Sequence, residues 1–343
     1  MSDSPRFPAE WESQSAILMA WPHAGTDWAV RLESTRLCFA GIATAISRHQ
    51  TLLLLVSDAA VEADARTALV QSNADLARVR FITLPYNDTW LRDSGPISLC
   101  HNDGFELLDF HFTAWGGKFE AGLDDRIVSE MAEQGLFRNA KHRRIDFALE
   151  GGGIETDGGG TLLSTWHCLH ERHPDKSRAD IETVLKTSLN QQRVLWLEHG
   201  YLEGDDTDAH IDTLARFASD SAIVYQGCDD PQDSHYAELQ AMASELSQLR
   251  TAAGTPYILH TLPWPKPIVD DGRRLAASYA NFLIINGAVL MPIYGDTADG
   301  HALSVMRKAF PNHEVIGIPC RDLIWQNGSL HCCTIQLPEG LLK

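Results

Sequence analysis

Short apolar runs rich in β-branched residues recur along the chain at 16–20, 51–56, 81–84, 106–110, 161–164 and 193–196, and again at 222–225, 257–261, 282–285, 288–292 and 314–318. Runs of this length and composition predict strands. Between some of them the apolar period lengthens to that of a helix. In 178–190, Ile181, Val184, Leu185 and Leu189 share one face, and Ser177 with Asp180 stands where a capping box would start it. In 231–250, Tyr236, Leu239, Ala243 and Leu246 keep the same period, and shorter stripes lie around 124–134 and 301–310. Strands alternating with helices over the whole length predict an α/β fold.

Pro and Gly are spread evenly, and no low-complexity tract or block of like charge divides the chain, so one domain spanning residues 1–343 is expected. No fixed-period repeat stands out. No apolar run reaches the roughly 18 residues needed to span a bilayer. The stretch 1–13 is polar and lacks the pattern of a secretory leader, which points to the cytoplasm. The net charge is −18, from 28 basic and 46 acidic residues. Such a field disfavours nucleic acid and anionic membranes as partners and suits a cationic ligand. Seven scattered cysteines without a CxxC pair read as small buried hydrophobes, with a chemical role for one or two at most.

Four segments are too polar, or too rich in special residues, to pass as ordinary loops. Residues 87–96 place Asp88, Arg92 and Asp93 around Trp90 and Leu91, where the plain reading is an Asx turn. Glu150 opens a triple glycine, and a second triple glycine follows at 158–160; a tight hairpin accounts for much of this, and no Lys-Ser/Thr pair follows to make a phosphate cradle. Residues 204–212 carry Asp205, Asp206, Asp208, His210 and Asp212; if extended at its end, the segment puts His210 and Asp212 on one face. Residues 326–334 run from a turn at Gly328 into the adjacent thiols Cys332 and Cys333, which face opposite ways if the run is a strand. His167, Cys168, His170 and His173 form a further cluster, but Pro174 ends a helix there too early for a good metal site, and no metal is expected.

In this order the four segments resemble the agmatine deiminase family, close to the bacterial peptidyl-arginine deiminases. The resemblance begins at Pro8-Ala9-Glu10-Trp11-Glu12 and Trp21-Pro22. It continues through Trp90/Asp93, Trp115-Gly116-Gly117, Glu150-Gly151-Gly152, the 206–212 segment and 275–282, and ends at His331-Cys332. It implies a pentein fold, a five-bladed β/α propeller with its active site in the central channel. Carried over residue by residue, it implies Cys332 as nucleophile, His210 as the acid–base group, and Asp93 and Asp212 as the carboxylates holding a guanidinium. Glu150, Trp90, Trp115 and Gly328 match positions around the substrate, and Asp88 and Asp206 become candidates for a distal ammonium. Asp206 stands where the family commonly has Glu, and Gln326-Asn327-Gly328-Ser329-Leu330 departs from the usual glycine run before the His-Cys pair.

The implied chemistry suits these residue types. A guanidinium carbon is a poor electrophile, and two carboxylates fix its plane while compensating its charge. A thiolate then adds from above, held by proximity. The implied reaction converts agmatine to N-carbamoylputrescine and ammonia through a covalent amidino-cysteine, with neither metal nor organic cofactor. Arginine, methylarginine or peptidyl-arginine remain alternative substrates on the same scaffold, amidino transfer an alternative outcome, and a non-catalytic polyamine-binding protein an alternative class. Assembly of identical copies stays open.

Overall fold

The computed structural model describes residues 5–343; the first four residues of the polar 1–13 stretch lie outside the described residues. Five small sheets share one hydrogen-bonding pattern, an antiparallel strand pair whose second member pairs in parallel with a third strand. One sheet holds Ile97–Cys100, Phe105–His111 and Ala140–Ala148. The next holds Ile154–Thr156, Thr161–Thr165 and Arg193–Leu197. A third holds Ala215–Ser219, Ala222–Gln226 and Ile258–Leu262. A fourth holds Leu283–Ile285, Ala288–Ile293 and Glu314–Pro319.

The fifth sheet is made by both ends of the chain. Ile335–Pro338 pairs antiparallel with Gln14–Ala20, which pairs in parallel with Thr51–Val56 and through it with Val79–Thr83. Parallel neighbours require a crossover, and helices supply it in every sheet. They are Leu32–His49, Ile127–Glu133, Arg178–Ser188, Tyr236–Gln248 and Asp299–Ala309. Five blades of one topology are the expected propeller. The hairpins begin at Ile97, Ile154, Ala215 and Leu283. Their spacing drifts, which is why no fixed period shows in the sequence.

Most predicted strands are present within a residue or two of their expected ends, and the capping box of Ser177 and Asp180 is formed on both sides. The expected tight hairpin falls between Ile154–Thr156 and Thr161–Thr165. Two local expectations are corrected. Residues 331–333 are a turn, with the Thr334 N–H donating to the His331 carbonyl at 3.0 Å, and the strand starts only at Ile335. The segment after His210 is not extended but a 3-10 turn, Ile211–Thr213. The cause lies just upstream. Asp205 folds the acidic loop by accepting the N–H groups of Thr207 and Ala209 at 2.9 and 2.8 Å, and Asp208 and Ala209 take left-handed conformations.

Candidate active site

The backbone at Gly152 is approached closely by three polar side chains. A Cβ there would lie 2.6 Å from His210 Nδ1, 2.8 Å from Asp93 Oδ1 and 3.2 Å from Asp212 Oδ2. Three side chains from two blade junctions therefore meet at one backbone position of a third, which only glycine fits. Asp93 sits in the single helical turn Leu91–Ser94, fixed when its Oδ1 accepts the Gly152 N–H at 2.9 Å. The Trp115 indole donates to its other oxygen at 2.9 Å. The Arg92 N–H donates to the Cys332 carbonyl at 3.1 Å, which ties the turn carrying the thiol to the turn carrying Asp93.

Cys332 lies with its Sγ 3.7 Å from Asp212 Oδ2 and 3.2 Å from the Asn281 amide nitrogen. Asn281 also accepts the His331 and Cys332 N–H groups, at 2.8 and 3.3 Å, so one buried amide holds the whole turn that carries the thiol. Burial, then Asp212 and Asp93, push the Cys332 thiol well above the usual thiol value. Cys333 is fully buried and, unlike Cys332, does not reach the cavity described below.

His210 is fully buried, 3.7 Å from Asp93 and 3.5 Å from Glu150 Oε2. Burial opposes its charge, but Asp93, Cys168 and Glu150 outweigh that and hold the imidazole well above its ordinary value. Neither ring nitrogen has a close hydrogen-bond partner, nor has Glu150 Oε2. Glu150 therefore stands behind the imidazole and does not line the cavity; Arg172 donates to its other oxygen at 2.8 Å and to Asp208 at 2.7 Å. Asp93 is pushed up to about 6, first by burial and further by Asp212 and Glu150, against the pull of His210.

Cys332 and Asp93 form the buried end of a cavity of about 680 Å³. Trp90, Trp115, Asp88, Asp206 and Gly328 also line it, so nine of the ten sequence-predicted site residues lie on the cavity or around Gly152, and Glu150 touches the ninth, His210, from behind. Trp90 is buried between the Trp28 ring, 5.6 Å away between centroids, and Gly328, whose missing side chain lets the backbone rest on the indole. Among the described residues six carboxylates line the cavity, Asp27, Asp88, Asp93, Glu120, Asp124 and Asp206, against one cation, Arg273. Burial first, then like charge, raises Asp88 and Asp124 to about 7 each. Asp206 is held by the Asn327 amide at the rim.

Sequence reading did not assign roles to Asn281, His331, Glu10, Arg172 or Arg216, although Glu10, Asn281 and His331 stand inside motifs already singled out. Two groups have donor atoms close enough to hold a metal, Glu150 with Cys168 and His210, and Glu10 with Glu155 and His331. Arg216 already neutralises the second, and Arg172 pairs with Glu150 in the first. His170 and His173 do not converge: one stacks on Trp166, the other on Phe147.

The Porphyromonas-type peptidyl-arginine deiminase family matches residues 6–338. The agmatine deiminase of Pseudomonas aeruginosa (strain LESB58) is 34% identical, covering 98% of this chain and 96% of its own length. A Porphyromonas gingivalis structure given the provisional name arginine deiminase superposes with a TM-score of 0.93 at 46% identity, covering 99% of this chain and all of that one. A cysteine-to-serine variant of C. jejuni agmatine deiminase, with substrate bound, superposes with a TM-score of 0.90 at 36% identity, covering 98% and 97%. The fold is thus the pentein fold that the resemblance implied.

Proposed function

This chain belongs to the Porphyromonas-type peptidyl-arginine deiminase family, and on that premise we propose that it is an agmatine deiminase, a cytoplasmic hydrolase of one catalytic domain that needs no cofactor. The observation that carries the reading is the meeting of Asp93, His210 and Asp212 around Gly152, with the Cys332 sulfur 3.7 Å from Asp212 at the closed end of an acidic cavity. Full-length likeness to agmatine deiminases supports the same reaction class.

Asp93 and Asp212 hold the guanidinium N–H groups, and Asp212 Oδ1, buried without a partner, is the free acceptor for one of them. The resting sulfur is a thiol. Arrival of the cation offsets the field of the two carboxylates, and the thiol loses its proton to solvent through the cavity. The thiolate adds to the guanidinium carbon. Protonated His210 gives its proton to the departing nitrogen, ammonia leaves, and a cationic amidino thioether remains. Neutral His210 then takes a proton from water, the resulting hydroxide adds to the same carbon, and collapse, with the hydroxyl proton passing to the departing sulfur, returns the resting thiol and releases N-carbamoylputrescine. Glu150 stabilises the charged imidazole throughout. Trp90 and Trp115 wall the cationic chain, and Asp88 and Asp206 take the distal ammonium.

The lining favours agmatine over free arginine. Arginine would bring its carboxylate among six others with Arg273 as the one lining cation among the described residues. Ammonia release from agmatine, arginine and an arginyl peptide, each with and without putrescine, tests the proposal. Agmatine as the preferred substrate, without dependence on putrescine, supports it. Turnover of the peptide but not of agmatine overturns it, and a requirement for putrescine replaces hydrolysis with transfer.

A further inference from the structure

His331 and Glu10 form a buried connection behind the reacting groups. His331 Nδ1 lies 2.8 Å from Asp212 Oδ2, and its Nε2 lies 2.8 Å from Glu10 Oε2. The ring is 1% exposed, so no water competes for either contact. Glu10 is itself anchored from three other directions: Arg216 donates to it at 2.9 Å, the Ile284 N–H at 2.8 Å, and Arg92 faces it at 3.3 Å. Glu155, paired with Arg216, completes the charged groups around the ring. Burial disfavours the charge on Glu10, but Arg216, His331 and Arg92 keep it well below the usual carboxylate value. Burial likewise disfavours the charge on Asp212, but the His331 hydrogen bond together with the charges of His331, His210 and Arg216 keeps it below the usual carboxylate value. Each ring nitrogen of His331 thus faces a carboxylate oxygen at hydrogen-bonding distance.

The geometry points to His331, braced by Glu10, as a positioning residue that occupies Asp212 Oδ2 from behind and so turns Asp212 Oδ1 toward the guanidinium. Asp212 is fully buried, and its two oxygens are treated differently: Oδ2 has the imidazole, while Oδ1 has no protein partner. A carboxylate free to rotate in that space would offer the substrate either oxygen, or neither at the needed angle. One held by a charge-assisted hydrogen bond offers the same oxygen each time, as preorganised binding requires. The bridge also joins the first blade's leading segment at Glu10 to the nucleophile turn 321 residues later in the chain. That contact gives the Pro8–Glu12 motif a task within the site.

The inference rests on the deiminase reading for its substrate but not for its hydrogen bonds, and the test separates the two. In histidine-¹⁵N-labelled protein without ligand at neutral pH, NMR should show one imidazole with two slowly exchanging ring N–H protons. Both should vanish in His331→Gln, and a His331 signal with a single ring proton overturns the bridge whatever the substrate is. In steady-state assays with agmatine, His331→Gln should lower kcat/KM roughly ten- to a hundredfold, the size expected from one charge-assisted hydrogen bond. It should also move the acidic limb of the kcat/KM profile to higher pH, because Asp212 then keeps its proton. Glu10→Gln should shift the same limb by less. A folded His331→Gln or Glu10→Gln protein with wild-type kcat/KM and an unmoved acidic limb overturns the positioning role. Wild-type protein that releases no ammonia from agmatine sinks the deiminase reading alone, and the two ring protons still decide the bridge.

Discussion

The sulfur of Cys332 and the carboxylate of Asp212 lie 3.7 Å apart, although 120 residues separate them in the chain. A thiol and a buried carboxylate at that distance repel once both are charged, so the pair is incomplete until a cation sits against it. Cys332→Ser is therefore expected to abolish both ammonia release and any mass adduct with agmatine. Cys333→Ser, whose sulfur does not reach the cavity, should leave both within a few fold of wild type. Intact-protein mass spectrometry after rapid quenching checks this, and an adduct that survives in Cys332→Ser would move the nucleophile elsewhere.

Thiolate formation should depend on the ligand. Burial and two carboxylates hold the Cys332 thiol up in the empty site. A non-reactive guanidinium analogue cancels part of that field. At neutral pH it should change the rate of Cys332 alkylation by iodoacetamide: the thiolate fraction rises, and partial blocking of access sets a ceiling on the gain. A rate indifferent to saturating analogue would contradict substrate-assisted ionisation.

The pH profile should carry two carboxylate signatures. Asp93 titrates at about 6, and Asp88 and Asp124 at about 7. All three are raised, so each becomes protonated and loses its negative charge as pH falls through its own value. For agmatine, kcat/KM should begin to fall below about pH 7 and steepen below about 6. An alkylguanidine without the distal amine should show the lower limb alone. The same raised values mean that the ligand-free fold loses stability as pH rises from about 4 to 7, since the folded state binds these protons more tightly. Melting curves of Asp124→Asn should flatten that slope relative to wild type.

Arg172 is 1% exposed at its side chain and serves two carboxylates, Glu150 and Asp208. Arg172→Met keeps the volume and strands the fully buried Glu150, while Asp208 keeps its pair with Lys118. The expected cost is about 3–5 kcal/mol in urea unfolding, the range for breaking a buried pair from one side. Loss of the Glu150 anchor should also lower kcat through His210, while KM for agmatine changes less.

Strands buried on both faces announce themselves as apolar runs, which is why 51–56 is predicted to the residue. Ala140–Ala148 hides because four of its nine residues are charged: Arg143 pairs with Glu106, and Arg144 with Asp109 and Asp125. The longest helix, Leu32–His49, buries ten residues, Thr35, Thr44 and Ser47 among them. A helix buried over so much of its surface shows no single stripe, whereas Arg178–Ser188, with three buried positions, does. In the site, Cys332, His210, Asp93 and Asp212 are legible through the order of their motifs, not through any local signal. His331 reads only as a neighbour of the cysteine, since its partners at 10 and 212 are remote in sequence. The acidic loop misleads in the opposite direction. Asp205 and Asp208 are structural, and only Asp206 of those three lines the cavity.

The closing strand Ile335–Pro338 follows Cys332 by three residues and pairs with the first strand of the chain. Synthesis therefore delivers the carboxylates and the imidazole long before the sulfur, and the sulfur is seated only when the two ends of the polypeptide join. On the proposed mechanism, turnover therefore reports the pairing of the closing strand as well as the chemistry.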